Sequence, residues 1–137
     1  MSTKSQSSFE MLLIFMIAIT ILVPVVIYVS IVQTEYSDSY KISTGQNVVN
    51  RLAEAADTIF LQGSGTRISL TLQFPDSISS TSIGNGEISI KITTSGGEKE
   101  VYQTTKEPVS GTLPNKSGVF KIRIENKGDF VQISQEL

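Results

Sequence analysis

From Met11 to Val32 the chain carries no charged residue, and the apolar run is interrupted only by Ala18, Thr20, Pro24 and Ser30. As a helix rising 1.5 Å per residue, these 22 positions span about 33 Å, close to the roughly 30 Å core of a bilayer. A secretory signal has an apolar stretch of only about 7–15 residues and ends at a small-residue cleavage site. The run here is longer, and Val32-Gln33-Thr34 is a poor cleavage site. The segment is therefore expected to stay on the mature protein and to cross a membrane once. Lys4 precedes it, Glu35 and Asp38 follow it, and Lys41 is the first base beyond. The positive-inside tendency places the N-terminus in the cytoplasm and the rest of the chain outside.

What remains is enough for one small domain, and its composition excludes several chemistries. The chain of 137 residues has 11 basic and 13 acidic residues, a net charge of −2. The bases are scattered, with no basic stripe interleaved with aromatics, so no nucleic-acid partner is expected. The sequence has neither cysteine nor histidine. Disulfides and thiolate metal sites are thereby excluded, and the commonest metal ligand and general base are missing. No nucleophile–base pair stands out. The expectation is a non-enzyme without metal or other cofactor.

Beyond the apolar run, Gln46 to Gln62 sets Val48, Leu52, Ala55, Ala56, Ile59 and Phe60 at helical spacing, with Asn47, Asn50, Arg51, Glu54 and Asp57 opposite. Gly63-Ser64-Gly65 should end this helix. Strict alternation then predicts strands. Ile68, Leu70, Leu72 and Phe74 face inward along 67–74, and Ile88, Ile90 and Ile92 along 87–94. Residues 98–105 form the second arm of a hairpin turning at Gly96-Gly97. Phe120, Ile122 and Ile124 face inward along 119–126, and Val131 and Ile133 along 129–134. Gly84-Asn85-Gly86 supplies a turn before the second strand. Five or six short strands with one apolar face each need a second layer, another sheet or the 46–62 helix. The expected fold class is α+β: a long N-terminal hydrophobic helix followed by a small antiparallel sheet or sandwich as a head domain.

The start of the chain is unusual in a specific way. Glu10 stands at the mouth of the apolar run. A charge costs about 2.5–3.5 kcal/mol at the centre of a spanning helix and less near its end, so it needs a partner or an exposed position. Lys4, Ser5, Gln6, Ser8 and Glu10 form a basic residue, a small residue and then Gln-x-Ser-x-Glu before the helix. This pattern resembles the class III signal peptide of archaeal type IV pilins, with Ser5 where Gly is more usual and Ile14 where Leu is. Downstream, Ala53 to Gly65, Phe74-Pro75, Gly111-Thr112-Leu113-Pro114 and Gly128 to Ile133 are similar to small archaeal pilin-like proteins. The resemblance implies a leader at residues 1–5 removed by a prepilin-type peptidase, and a helix at 6–62. Of that helix, 11–32 would serve as membrane span and filament core and 46–62 would pack on a β head domain at 63–137. It implies that Glu10 pairs with the new α-amine of a neighbouring subunit during assembly. Without that role, Glu10 is an exposed carboxylate at headgroup level.

Two functions share these motifs. One is the structural subunit of a type IV pilus-like surface filament, a helical homo-oligomer serving surface attachment, with surface-layer or host-surface contacts. The other is a membrane-anchored accessory or stator-like protein whose β domain binds the surface layer or an archaellum motor. Pro24 lacks an N–H and crowds the carbonyl of Thr20. It is either a proline tolerated in a membrane helix or a flexible point that lets helices pack in a filament. Asn115-Lys116-Ser117 is the one Asn-x-Ser/Thr sequon, in a turn on the expected outer side where an oligosaccharide can be attached. The carboxylate pairs Glu35/Asp38 and Glu98/Glu100 lack the glycine-rich acidic loop of a calcium site and read as solvated surface.

Overall fold

A computed structural model describes residues 3–137, with side chains from Gln6 onward. A single helix, α1 (Thr3–Gln62), takes up 60 residues. It runs through Pro24 without interruption and also through the polar stretch between the apolar run and Gln46. It stops where a residue free of a Cβ penalty is available. Gly63 has φ +100° and its N–H donates to the Phe60 carbonyl at 3.3 Å. The chain divides into two compact units, Met1–Ser37 and Asp38–Leu137.

The second unit contains seven strands in two sheets. They are β1 (Arg67–Phe74), β2 (Ile78–Gly84), β3 (Glu87–Thr94), β4 (Gly97–Thr104), β5 (Val109–Gly111), β6 (Gly118–Asn126) and β7 (Val131–Gln135). One sheet has the order β1-β6-β7-β5 and the other β2-β3-β4. All pairs are antiparallel except β5 with β7, which run parallel. The β2–β3 turn is Asn85-Gly86, with φ of 54° and 72°. Two successive positive φ values define the tight turn whose twist matches that of the strands it joins, and Asn-Gly is its preferred pair.

Two strands differ from the alternation reading. β2 reads Ile-Ser-Ser-Thr-Ser-Ile-Gly, with hydroxyls on both faces. It carries no period-2 signal and is held by its pairing to β3. β5 has three residues and is defined by its partner β7. The last strand begins at Val131 and not at Asp129. Lys127 N–H donates to the Phe130 carbonyl at 2.9 Å, and Gly128 has φ +101°, so the turn uses up residues 127–130.

The core lies between the C-terminal part of α1 and both sheets. Val49, Leu52, Ala56 and Ile59 of the helix are fully buried. So are Ile88, Ile90 and Ile92 of β3, Ile122 and Ile124 of β6, and Ile133 of β7. The expected helix stripe is present, but Gly45, Val49 and Ala53 are buried as well. Helix residues meet both sheets, so the buried arc is wider than one stripe. At Gly45 a Cβ would lie 2.6 Å from Ile92 Cδ1 and 3.2 Å from Val101 Cγ2. A mid-helix glycine costs about 1 kcal/mol relative to alanine, and here it permits close approach of the helix to β3 and β4. Phe74 and Phe120 meet edge to face at 5.8 Å across β1 and β6, the preferred aromatic geometry.

A fragment comprising Asp38–Leu137 is expected to be soluble and to unfold in one cooperative transition, because it contains the whole core. It starts at Asp38 so as to retain that residue's bonds to Ser95. Thermal circular dichroism is the measurement. Aggregation, or β signal only in detergent with residues 11–32 attached, would show that the head does not fold on its own.

Candidate functional site

In the first unit, every large apolar side chain from Phe9 to Ile31 is exposed, from 45 % at Val29 to 68 % at Tyr28. By length and composition the helix can cross a membrane, and none of its most apolar window is buried. Eighteen large apolar side chains lie in this stretch. Each gains about 1.5–3 kcal/mol on full burial, so their surface is worth tens of kcal/mol to any apolar surrounding. Thr20, Ser30 and Thr34 donate their hydroxyls to the carbonyls four residues back, at 2.7, 2.9 and 3.0 Å. These three hydroxyls are thus satisfied inside the helix, as a hydrocarbon environment requires. Pro24 lies one turn after Thr20 and is exposed. It cannot donate to the Thr20 carbonyl, and the Thr20 hydroxyl bond to Met16 adds a second local perturbation that bends helices.

Gln6, Ser8 and Glu10 are all exposed on α1. Gln6 and Glu10 are four residues apart, so they stack on one helix face, and a terminus at Gln6 would lie one turn from the carboxylate. The side chains of Lys4 and Ser5, the remaining two leader positions, lie outside the described residues.

In the second unit, the polar residues that matter most are ties between segments distant along the chain, whose partners the sequence did not reveal. The Asp38 carboxylate accepts from the Ser95 hydroxyl and from the Ser95 N–H at 2.9 Å, with Lys41 Nζ 3.7 Å away. The Ser95 hydroxyl foremost, then the Ser95 N–H and Lys41, hold this carboxyl below its ordinary value of 3.8. A lowered folded value contributes stability above the ordinary value and loses it as pH falls through the lowered one. The contribution is small because the carboxylate keeps some contact with solvent. Asp38 is therefore a tether to the β3–β4 turn and not merely solvated surface. Glu98 likewise accepts from the Ser79 hydroxyl at 2.5 Å, joining β4 to β2. Asp57 accepts from the Lys106 N–H at 3.0 Å.

Asn126, 2 % exposed, closes the helix end from β6. Its amide donates to the Ile59 and Phe60 carbonyls at 3.2 Å each, and its oxygen accepts from Gly128 N–H at 2.7 Å. The last carbonyls of a helix have no partner within it, and this side chain supplies one from 66 and 67 residues away. Leaving such a group unmet costs about 1–3 kcal/mol.

Among the described residues, no group of three or more His, Cys, Asp or Glu could hold a metal ion. Asn115 is exposed between Pro114, which is buried, and the start of β6. No family model matches the chain, and no curated protein or solved structure matches it either.

Proposed function

We propose that the chain is a pilin-like structural subunit of an archaeal type IV pilus-like surface filament, used for surface attachment. The observation that carries this reading is one helix, α1, that carries Gln6-x-Ser8-x-Glu10 near its start, continues as an exposed apolar cylinder and ends as the core helix of a folded β head. An apolar surface of that length needs lipid before assembly and other helices after it. In this reading the N-terminus starts in the cytoplasm and the head lies outside. A prepilin-type peptidase removes residues 1–5, and the α-amine freed at Gln6 meets Glu10 of a neighbouring copy. Two charges entering a dry core separately are each costly, whereas a hydrogen-bonded pair is far less so. Pro24 gives the helix a bendable point while many copies pack side by side.

The test is made on native material. Mass spectrometry is expected to find a chain beginning at Gln6, and electron microscopy of sheared surface filaments is expected to find this protein polymerised. A native N-terminus at Met1 or beyond Val32 removes the processing step. A correctly processed chain found only as a membrane-bound monomer replaces the filament subunit with an anchored accessory protein.

A further inference from the structure

We propose that Asn115 carries an N-linked oligosaccharide whose first sugars lie along the hydroxyl-lined groove between β2 and the segment leading from β5. The proposal rests on the outward orientation of the head in the reading above. Asn115, Lys116 and Ser117 are all exposed and lie outside regular strands. The segment is nonetheless held in place. Leu113 and Pro114 are buried, and the Thr81 hydroxyl donates to the Leu113 carbonyl at 3.3 Å. A sequon presented in this way keeps both its amide and its Ser117 hydroxyl within reach of a transferase.

The groove beside it has a volume of about 420 Å³, within the roughly 300–1,000 Å³ of small-molecule sites. Ser80, Thr81, Ser82 and Thr112 line it together with Asn115, and no ionisable side chain does. Hydroxyl side chains both donate and accept, which matches the neutral hydroxyls of a sugar. The location has a physical use. β2 is an edge of one sheet and β5 an edge of the other. The two edges lie against each other, and a glycan here shields the seam where they meet from pairing with other chains. The hydroxyl-rich sequence of β2, unexplained by core packing, then has a role.

The donor is an oligosaccharide joined through its anomeric carbon to a lipid phosphate. The Asn115 Nδ2–C1 bond forms and the bond from C1 to the phosphate oxygen breaks. The bonding pair leaves with the lipid phosphate, and one amide proton passes to base.

Peptide mass spectrometry of the native protein is expected to show the Asn115 peptide heavier by an oligosaccharide. Asn115→Gln and Ser117→Ala should each abolish that mass, while Lys116→Ala, at the free middle position, should keep it. Hydrogen exchange along Ile78–Gly84 should be slower in the native protein than in Asn115→Gln. An unmodified Asn115 in native material overturns the proposal, and a modified Asn115 with unchanged β2 exchange overturns the placement in the groove. The N-terminal peptide from the same sample keeps the two questions apart. A chain beginning at Gln6 with a bare Asn115 rejects the glycan alone, whereas a glycan on a chain with an unprocessed N-terminus rejects the pilin reading alone.

Discussion

Cells carrying Glu10→Ala are expected to contain the protein in their membranes at normal levels and to display few or no filaments built from it. Removing a charge from the mouth of an apolar helix favours insertion, so the membrane step should not suffer. Assembly should, because the neighbour's α-amine would enter the core without its carboxylate, and breaking a buried pair costs about 3–5 kcal/mol. The penalty recurs at every subunit added. Glu10→Gln keeps the shape but not the charge and should be nearly as damaging. The measurement is electron microscopy of sheared filaments, with membrane levels followed in parallel. Normal filaments from Glu10→Ala cells would leave the carboxylate as an exposed headgroup-level residue with no part in assembly.

The second large effect lies in the head. Gly111 has φ +140°, and a Cβ there would sit 1.8 Å from the Ile133 carbonyl oxygen and 2.8 Å from its carbon. The obstacle is backbone, so no rotamer change can relieve it. Gly111→Ala must give up the β5–β7 pairing, and with it the Thr112 N–H bond to Ile133 at 3.1 Å. Together with the strain of a positive φ, this places the loss in the exceptional class of about 4–5 kcal/mol. For a domain of this size each kcal/mol moves the melting midpoint by about 4–8 °C, so the Asp38–Leu137 fragment should melt at least about 15 °C lower. Gly96→Ala is the control, since nothing lies within 4 Å of its Cβ position and its φ is not in the left-handed range. A Gly111→Ala fragment that melts with the parent would mean that β5 does not approach β7 so closely.

Local chemistry alone decided a good part of this protein. An uncharged run as long as a bilayer is thick has one economical conformation, and α1 adopts it through Met11–Val32. Strict alternation placed β1, β3, β6 and β7, because a period of two has only one way to bury its apolar set, and the glycine turn after β3 placed β4. Asn85-Gly86 and Gly63 acted as turn and helix stop because few other residues accept a positive φ.

The tertiary structure decided the rest, for reasons of distance along the chain. β2 and β5 have no pattern of their own and exist through their partners. Asp38 reads as a surface carboxylate until Ser95, 57 residues later, is folded against it. Asn126 reads as the end of a strand until it is seen capping the helix at Ile59 and Phe60. Gly45 has no role visible in the sequence until β3 and β4 press against it. Periodicity records which face of an element is buried. It does not record what that face meets, and the caps, tethers and close approaches of the head all depend on the meeting partner.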